Sequence, residues 1–306
     1  MMKLNEAVKP GLNHHLLFSS VIEQDSSAHV ETLKVLEADP RFEVLDMWVP
    51  EDEPYRTQTI ELLQKSGKEV FYNCGNRAGK PSLAPASLDD EKRRYTLDVY
   101  RDELARAKAI GATKVITNSG PNNLERREEA FDALVDFYVE LCRTVPEMLV
   151  LIEPTDWDVS KKKLIGSSSE AAEICRRVAA RGCPNMASMV DMCHVPLMHE
   201  TLAQAVADTG DCLGHIHLGN CILKDREHPY FGDKHVPIGI DGGEYGTADV
   251  AELFRLGLAS GYFSKEKRGS ASIEMRVLGG EDPLDALDRY YAMTEEAWAK
   301  AVETAR

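Results

Sequence analysis

A chain of 306 residues, 43% of them hydrophobic, can bury a large core; single α/β barrels of roughly 250 residues tolerate insertions, so one domain over 1–306 is expected. Its 51 acidic against 36 basic residues give a net charge of -15, a field that repels phosphate backbones and anionic lipid and argues against nucleic-acid partners. Seven cysteines without a C-x-x-C pair read as reduced thiols of a cytoplasmic protein, and no leader-like stretch or run of ~18 apolar residues points to export or to a membrane.

Taken in order, the β-rich runs are His15 to Phe18, Phe42 to Trp48, Glu69 to Asn73, Lys114 to Asn118, Met148 to Glu153, Met186 to Asp191, Leu213 to His217 and Ser270 to Glu274. Amphipathic stretches alternate with them, the pattern of a parallel sheet covered by helices. Ser87 opens one such helix, with Asp89, Asp90 and Glu91 in its first turn, Tyr95, Val99, Leu104 and Ala107 near helical spacing, and Gly111 as its stop. The serines Ser167 to Ser169 cap another, which carries Ala172, Ile174, Cys175 and Val178 before Gly182, and Pro283 to Trp298 forms a closing helix. The first strand is not followed by G-x-G-x-x-G, which disfavours a dinucleotide fold. The polar residues that end the strands favour a closed (β/α)8 TIM barrel, because closure gathers all eight ends at one mouth. The longest irregular stretch, 219–244, holds His228, Asp233 and His235 as well as Gly239, Gly242 and Gly243; it reads as an active-site loop placed to cover that mouth.

Chemistry concentrates at the last four strand ends. Glu153 follows four apolar residues, Asp191 closes Met189 and Val190, His217 ends the seventh strand and Glu274 the eighth. A charge ending an apolar strand must reach the rim, where solvent or a cation offsets its desolvation. Three carboxylates and an imidazole without a thiolate suit one Mn, Mg, Co or Zn ion in an open, catalytic site. Such an ion polarises a carbonyl and the adjacent hydroxyl, so a proton can leave the neighbouring carbon and an enediolate becomes accessible. His215 shares the face of His217 but lies two residues deeper, and reads as a hydrogen-bonded core residue. Lys161, Lys162 and Lys163 are either a solvated run or contacts to a substrate anion, Trp157 either walls a sugar pocket or packs a loop, and Arg276 is placed to clamp an anion.

Six segments, Arg94 to Asn118, "LIEP" at Leu151 to Pro154, "VDMCH" at Val190 to His194, "HIHLGN" at His215 to Asn220, "DKHVPIG" at Asp233 to Gly239 and "IEM" at Ile273 to Met275, together resemble the xylose isomerase-like TIM barrel superfamily. That superfamily contains sugar isomerases, ketose 3-epimerases, dehydroshikimate dehydratases and DNA repair enzymes of the AP endonuclease family 2 type. The resemblance to the epimerases implies that Glu153, Asp191, His217 and Glu274 bind one metal, that Glu153 and Glu274 act as acid and base, and that His194 contacts substrate. It also allows dimers or tetramers. Where epimerases carry Asn-Arg and then Glu after the fifth-strand Glu-Pro, this chain reads Thr155, Asp156, Trp157, Asp158 and Val159, and Leu223 stands where they place an Arg. These departures and the lysines suggest a sugar-acid substrate.

The "DKHVPIG" segment is also similar to an endonuclease metal motif, which implies a second metal at Asp233 and His235. That branch ends its third and fourth strands with histidines, whereas Asn73 and Asn118 stand here. His235 is therefore read as lining the substrate pocket. The expected function is a metal-dependent isomerase or epimerase of a small carbohydrate or sugar acid. The alternatives are a lyase, either decarboxylase or dehydratase, of a keto sugar acid, an endonuclease-like hydrolase, and a sugar-binding barrel without catalysis.

Overall fold

Eight parallel strands close on themselves in sequence order in the computed structural model, which describes residues 2–22, 26–75, 80 and 82–304. They are β1 Val8–Asn13, β2 Val44–Met47, β3 Glu69–Asn73, β4 Lys114–Thr117, β5 Leu149–Ile152, β6 Met186–Asp191, β7 Leu213–Leu218 and β8 Gly269–Ile273. The long helices that follow them are α1 Ser26–Ala38, α2 Tyr55–Ser66, α3 Asp90–Ala109, α4 Arg127–Thr144, α5 Ser168–Ala180, α6 Leu202–Thr209, α7 Thr247–Ala259 and α8 Pro283–Thr304.

Strand alternation explains where the polar groups go. Inside the barrel Val44, Phe71, Ile116, Leu151, Ala187 and Met189 form one cluster, while Leu45, Val70, Val115, Val150 and Ile152 pack outward under the helices. Side chains two residues on share a face, so the inward positions beyond that cluster are Asp46, Asn73, Asn118, Glu153 and Asp191. With both faces of every strand buried, the runs read as nearly continuous apolar segments broken only at functional positions.

The first strand lies earlier than the sequence suggests. It is Val8–Asn13, and the expected strand at His15 to Phe18 is instead mostly the helical turn His14–Leu17. Pro10 and Gly11 mask it, since proline lacks a ladder donor and glycine weakens a strand. Gly11 is required by packing: a Cβ there would lie 2.1 Å from Ser272 Oγ and 3.0 Å from Val44 Cβ. The other strands fall where expected within one or two residues, Glu153 and Glu274 coming immediately after β5 and β8.

Helix α3 starts at Asp90, capped by Asp89, whose carboxylate accepts from the Glu91 and Lys92 amides. Its buried stripe runs through Leu97, Tyr100, Leu104 and Ala107, and Tyr95 is 63% exposed rather than part of it. Two residues correspond to about 200° around a helix, which places Tyr95 opposite Leu97. Ser167 caps α5 by accepting from Glu170 N, as its position in the serine run indicates. Helix α8 continues past Trp298, whose Nε1 donates to Met2 O at 2.9 Å and ties the two chain ends together.

Candidate metal centre and substrate cavity

Glu153, Asp191, His217 and Glu274 converge at the C-terminal mouth, one donor atom from each lying within 4.8 Å of every other. Asp191 and His217 are register partners across the β6–β7 ladder. His217 Nδ1 lies 2.5 Å from Glu274 Oε2, 3.5 Å from Glu153 Oε1 and 3.9 Å from Asp191 Oδ2. Asp191 Oδ2, His217 Nδ1 and Glu274 Oε2 are nevertheless buried without a well-directed hydrogen bond. In the deprotonated forms that ligation requires, three carboxylates and a neutral imidazole would carry a buried excess of negative charge that a cation offsets. Orphaned oxygen and nitrogen donors meeting at one point fit a divalent ion.

The groups behind these donors fix their orientation. Asp46 Oδ2 lies 3.1 Å from His217 Nε2, which leaves Nδ1 as the atom presented to the cluster. Such carboxylate support sets the ring's tautomer and raises its basicity as a ligand. The same oxygen lies 3.2 Å from His215 Nε2, and His215 Nδ1 is 2.8 Å from Ser270 Oγ, so His215 is a fully hydrogen-bonded, buried ring. Asn13 donates from Nδ2 to Glu274 Oε1 at 2.6 Å, while its Oδ1 accepts from Leu16 N.

Electrostatics reflect the crowding. Burial pushes the Glu274 carboxyl up to about 7. Burial opposes charge on His217, but Glu274 and the hydrogen-bonded carboxylates around it raise its basicity well above the ordinary histidine value. Asp191 is buried yet held well below the usual carboxylate range by His194 and His217. Asp46 is likewise held down against its burial by His215 and His217. Burial pulls His215 down to about 4, so it is neutral at pH 7.

A cavity of about 350 Å³ opens over these residues, lined by Glu153, Glu274, His194, Asp233, His235, Lys161, Lys163 and Arg276 together with His15, Trp48, Asn73 and Asn118. Two side chains of the 219–244 loop therefore reach the mouth. Asp233 lies 2.9 Å from His235 Nε2, 3.3 Å from His194 Nε2 and 3.2 Å from Lys161 Nζ. With Cys193, the residues His194, Asp233 and His235 form a second group of potential metal donors. The charge on His235 is opposed by burial, yet Glu274 and Asp233 raise it to about 9.

Trp157 does not line this cavity. It is a loop-packing residue, 37% exposed, lying against Gly166 with the Arg127 guanidinium 5.7 Å from its ring and its Nε1 donating to Glu170 at 3.3 Å. The turn after β5 is folded around Asp156, whose carboxylate accepts from the amides of Val159, Ser160 and Lys161, and this turns Trp157 outward. Leu223 packs beside Cys193, Leu197 and Cys221. His228 accepts a bond from Tyr230 N within its own loop.

Sequence reasoning missed Asp46 and Asn13. Asp46 carried a usable signal, a carboxylate within the apolar run "VLDM" at an inward position. Asn13 had none once the first strand was placed too late.

No curated protein matches the chain. Among solved structures, L-ribulose 3-epimerase superposes with a TM-score of 0.70 at 13% identity, covering 98% of this chain and 98% of that one. A 3-keto-D-glucoside 4-epimerase from E. coli gives 0.66 at 15% identity, with 94% and 99% covered. An AP endonuclease, family 2, from Brucella melitensis gives 0.64 at 18% identity, with 92% and 99% covered. These likenesses establish the shared fold. The family described as xylose isomerase-like TIM barrel matches residues 35–303, nearly the whole closed barrel, and the chain belongs to it.

Proposed function

We propose that this protein is a divalent-metal-dependent isomerase or epimerase of a small carbohydrate or sugar acid, transferring a proton at the carbon beside a carbonyl. The observation that carries this reading is the meeting of Glu153 and Glu274, from β5 and β8, in one cavity around Asp191 and His217. Bound there, Mn, Mg, Co or Zn would polarise the carbonyl and its neighbouring hydroxyl. Epimerisation removes a proton and returns one, and two carboxyl groups at the reacting carbon can serve as the base and the acid. Glu274 supplies one of these carboxyl groups at the buried end of the cavity. Asn13 fixes its Oε1. Glu153 serves as the partner acid or base, and His194, with His235, contacts the substrate's oxygens.

Two solved relatives in fold bear the names of sugar 3- and 4-epimerases, which supports this reading. A hydrolase of nucleic acid is less well supported, because Asn73 and Asn118 stand at the cavity wall in place of imidazoles and the chain carries a charge of -15. Turnover of keto sugars and keto sugar acids in deuterated water provides the test. Deuterium should appear at the carbon beside the carbonyl in a product of unchanged skeleton. An active enzyme that introduces none would rule out proton transfer, and loss of water or carbon dioxide would identify a lyase.

A further inference from the structure

Two cations that line the cavity make no ion pair among the described residues. Arg276 makes no ion pair among the described residues, and its Nε is buried without a hydrogen-bond partner. Its backbone is fixed on both sides, with Arg276 N donating to His235 O at 2.8 Å and Arg276 O accepting from Tyr290 Oη at 2.7 Å. The side chain is therefore held at the rim by well-anchored backbone two residues beyond Glu274.

Lys163 enters the same cavity from the β5 side. Its N donates to Asp156 O at 2.7 Å and it forms an isolated bridge with Pro121, while its amine has no ion-pair partner among the described residues. Lys161 differs, because its amine is already committed to Asp233 at 3.2 Å. Lys162 does not line the cavity.

Desolvating a guanidinium and an ammonium without counter-charge is unfavourable unless a ligand supplies it. A neutral sugar would leave both without a direct ionic partner. On a chain of charge -15, the overall field would repel an anionic ligand, and local cations are what would capture it.

We infer that the substrate carries an anionic group, a carboxylate or a phosphate, held by Arg276 and Lys163 while its carbonyl end lies against Glu153 and Glu274. This rests on the proposed isomerase reading and narrows its substrate class. The planar fork of Arg276 matches two oxygens of such a group, and Lys163 adds a compact charge.

The test compares three matched five-carbon probes on the Mn²⁺-loaded protein by titration calorimetry: a neutral ketopentose, its 5-phosphate, and the corresponding keto aldonate. At least one anionic probe should bind about tenfold or more tighter than the neutral one, with the advantage shrinking at high salt. Which anion wins separates the phosphate from the carboxylate source. In Arg276→Gln and Lys163→Met, the ratio of anionic to neutral affinity should fall about tenfold; should the Arg276 variant not fold, Lys163→Met carries the test alone. Equal binding of all three probes, or an unchanged ratio in a folded variant, overturns the inference. Deuterium exchange on the same probes keeps the two claims apart: exchange on a neutral ketose without anion preference sinks only this one, whereas tight anion binding without exchange during turnover sinks only the isomerase reading.

Discussion

Asn13 faces two ways across the β1–β8 seam, its Oδ1 capping the turn after β1 through Leu16 N and its Nδ2 donating 2.6 Å to Glu274 Oε1. An amide can accept from a backbone N–H and donate to a carboxylate with one side chain, whereas a carboxylate can only accept. Replacing Asn13 by Asp keeps the cap but sets a second negative charge against Glu274. Turnover in Asn13→Asp should fall about 10- to 100-fold, the usual cost of losing such a supporting bond, and steady-state kinetics checks it. Unchanged rates would mean that Glu274 needs no such support.

Asp46→Asn tests the group behind His217. The amide can donate toward Nε2 and so favour the wrong tautomer, withdrawing the Nδ1 lone pair from the cluster. Affinity for Mn²⁺ or Zn²⁺ should drop about 10- to 100-fold in a chelator competition assay, while His215→Asn, which keeps Asp46 beside His217, should lose less.

Glu153→Gln and Glu274→Gln should each reduce the rate about 10²- to 10⁴-fold, the range for a lost general acid or base. Circular dichroism should show a retained fold. A variant that turns over normally would remove that carboxylate from the chemistry.

Metal uptake should depend on pH in one direction. Glu274 is raised to about 7 and His217 is raised well above its ordinary value, so in the metal-free protein both hold protons that an ion must displace. Affinity should therefore rise with pH, and below about pH 7 it should fall at least about tenfold per unit. Calorimetry in buffers of different ionisation enthalpy should show protons released on binding; zero release would contradict the assignment of these residues as ligands.

Gly11→Ala should destabilise the barrel by about 1–3 kcal/mol, the range for forced overpacking, because the new methyl would meet Ser272 Oγ and Val44 Cβ. Adding Ser272→Gly should recover part of the loss. Urea unfolding measures both, and a neutral Gly11→Ala would show that β1 and β8 can part at little cost.

The four convergent donors were legible because a charge ending an apolar strand has few inexpensive places to go, and strand alternation then fixes its direction. Asp46 obeys the same rule, but it sits one residue inside β2 with Met47 after it, and a rule confined to strand ends passes over it. The first strand was hidden for a different reason: β1 is defined by what Gly11 must not have, a side chain, and that requirement belongs to Ser272, 261 residues away. Trp157 shows the limit of composition, since an aromatic residue near a site is equally at home over Gly166 and Arg127.

The stretch after β7 reaches the mouth without being free to flap over it. Asn220 spans its base, accepting from Cys221 N and Tyr245 N and donating to Pro237 O and Tyr245 O, while Asp233 and His235 are locked to His194, Lys161 and Glu274. The wall that this segment adds to the cavity is therefore set before any ligand arrives, a pre-shaped surface in place of a swinging door.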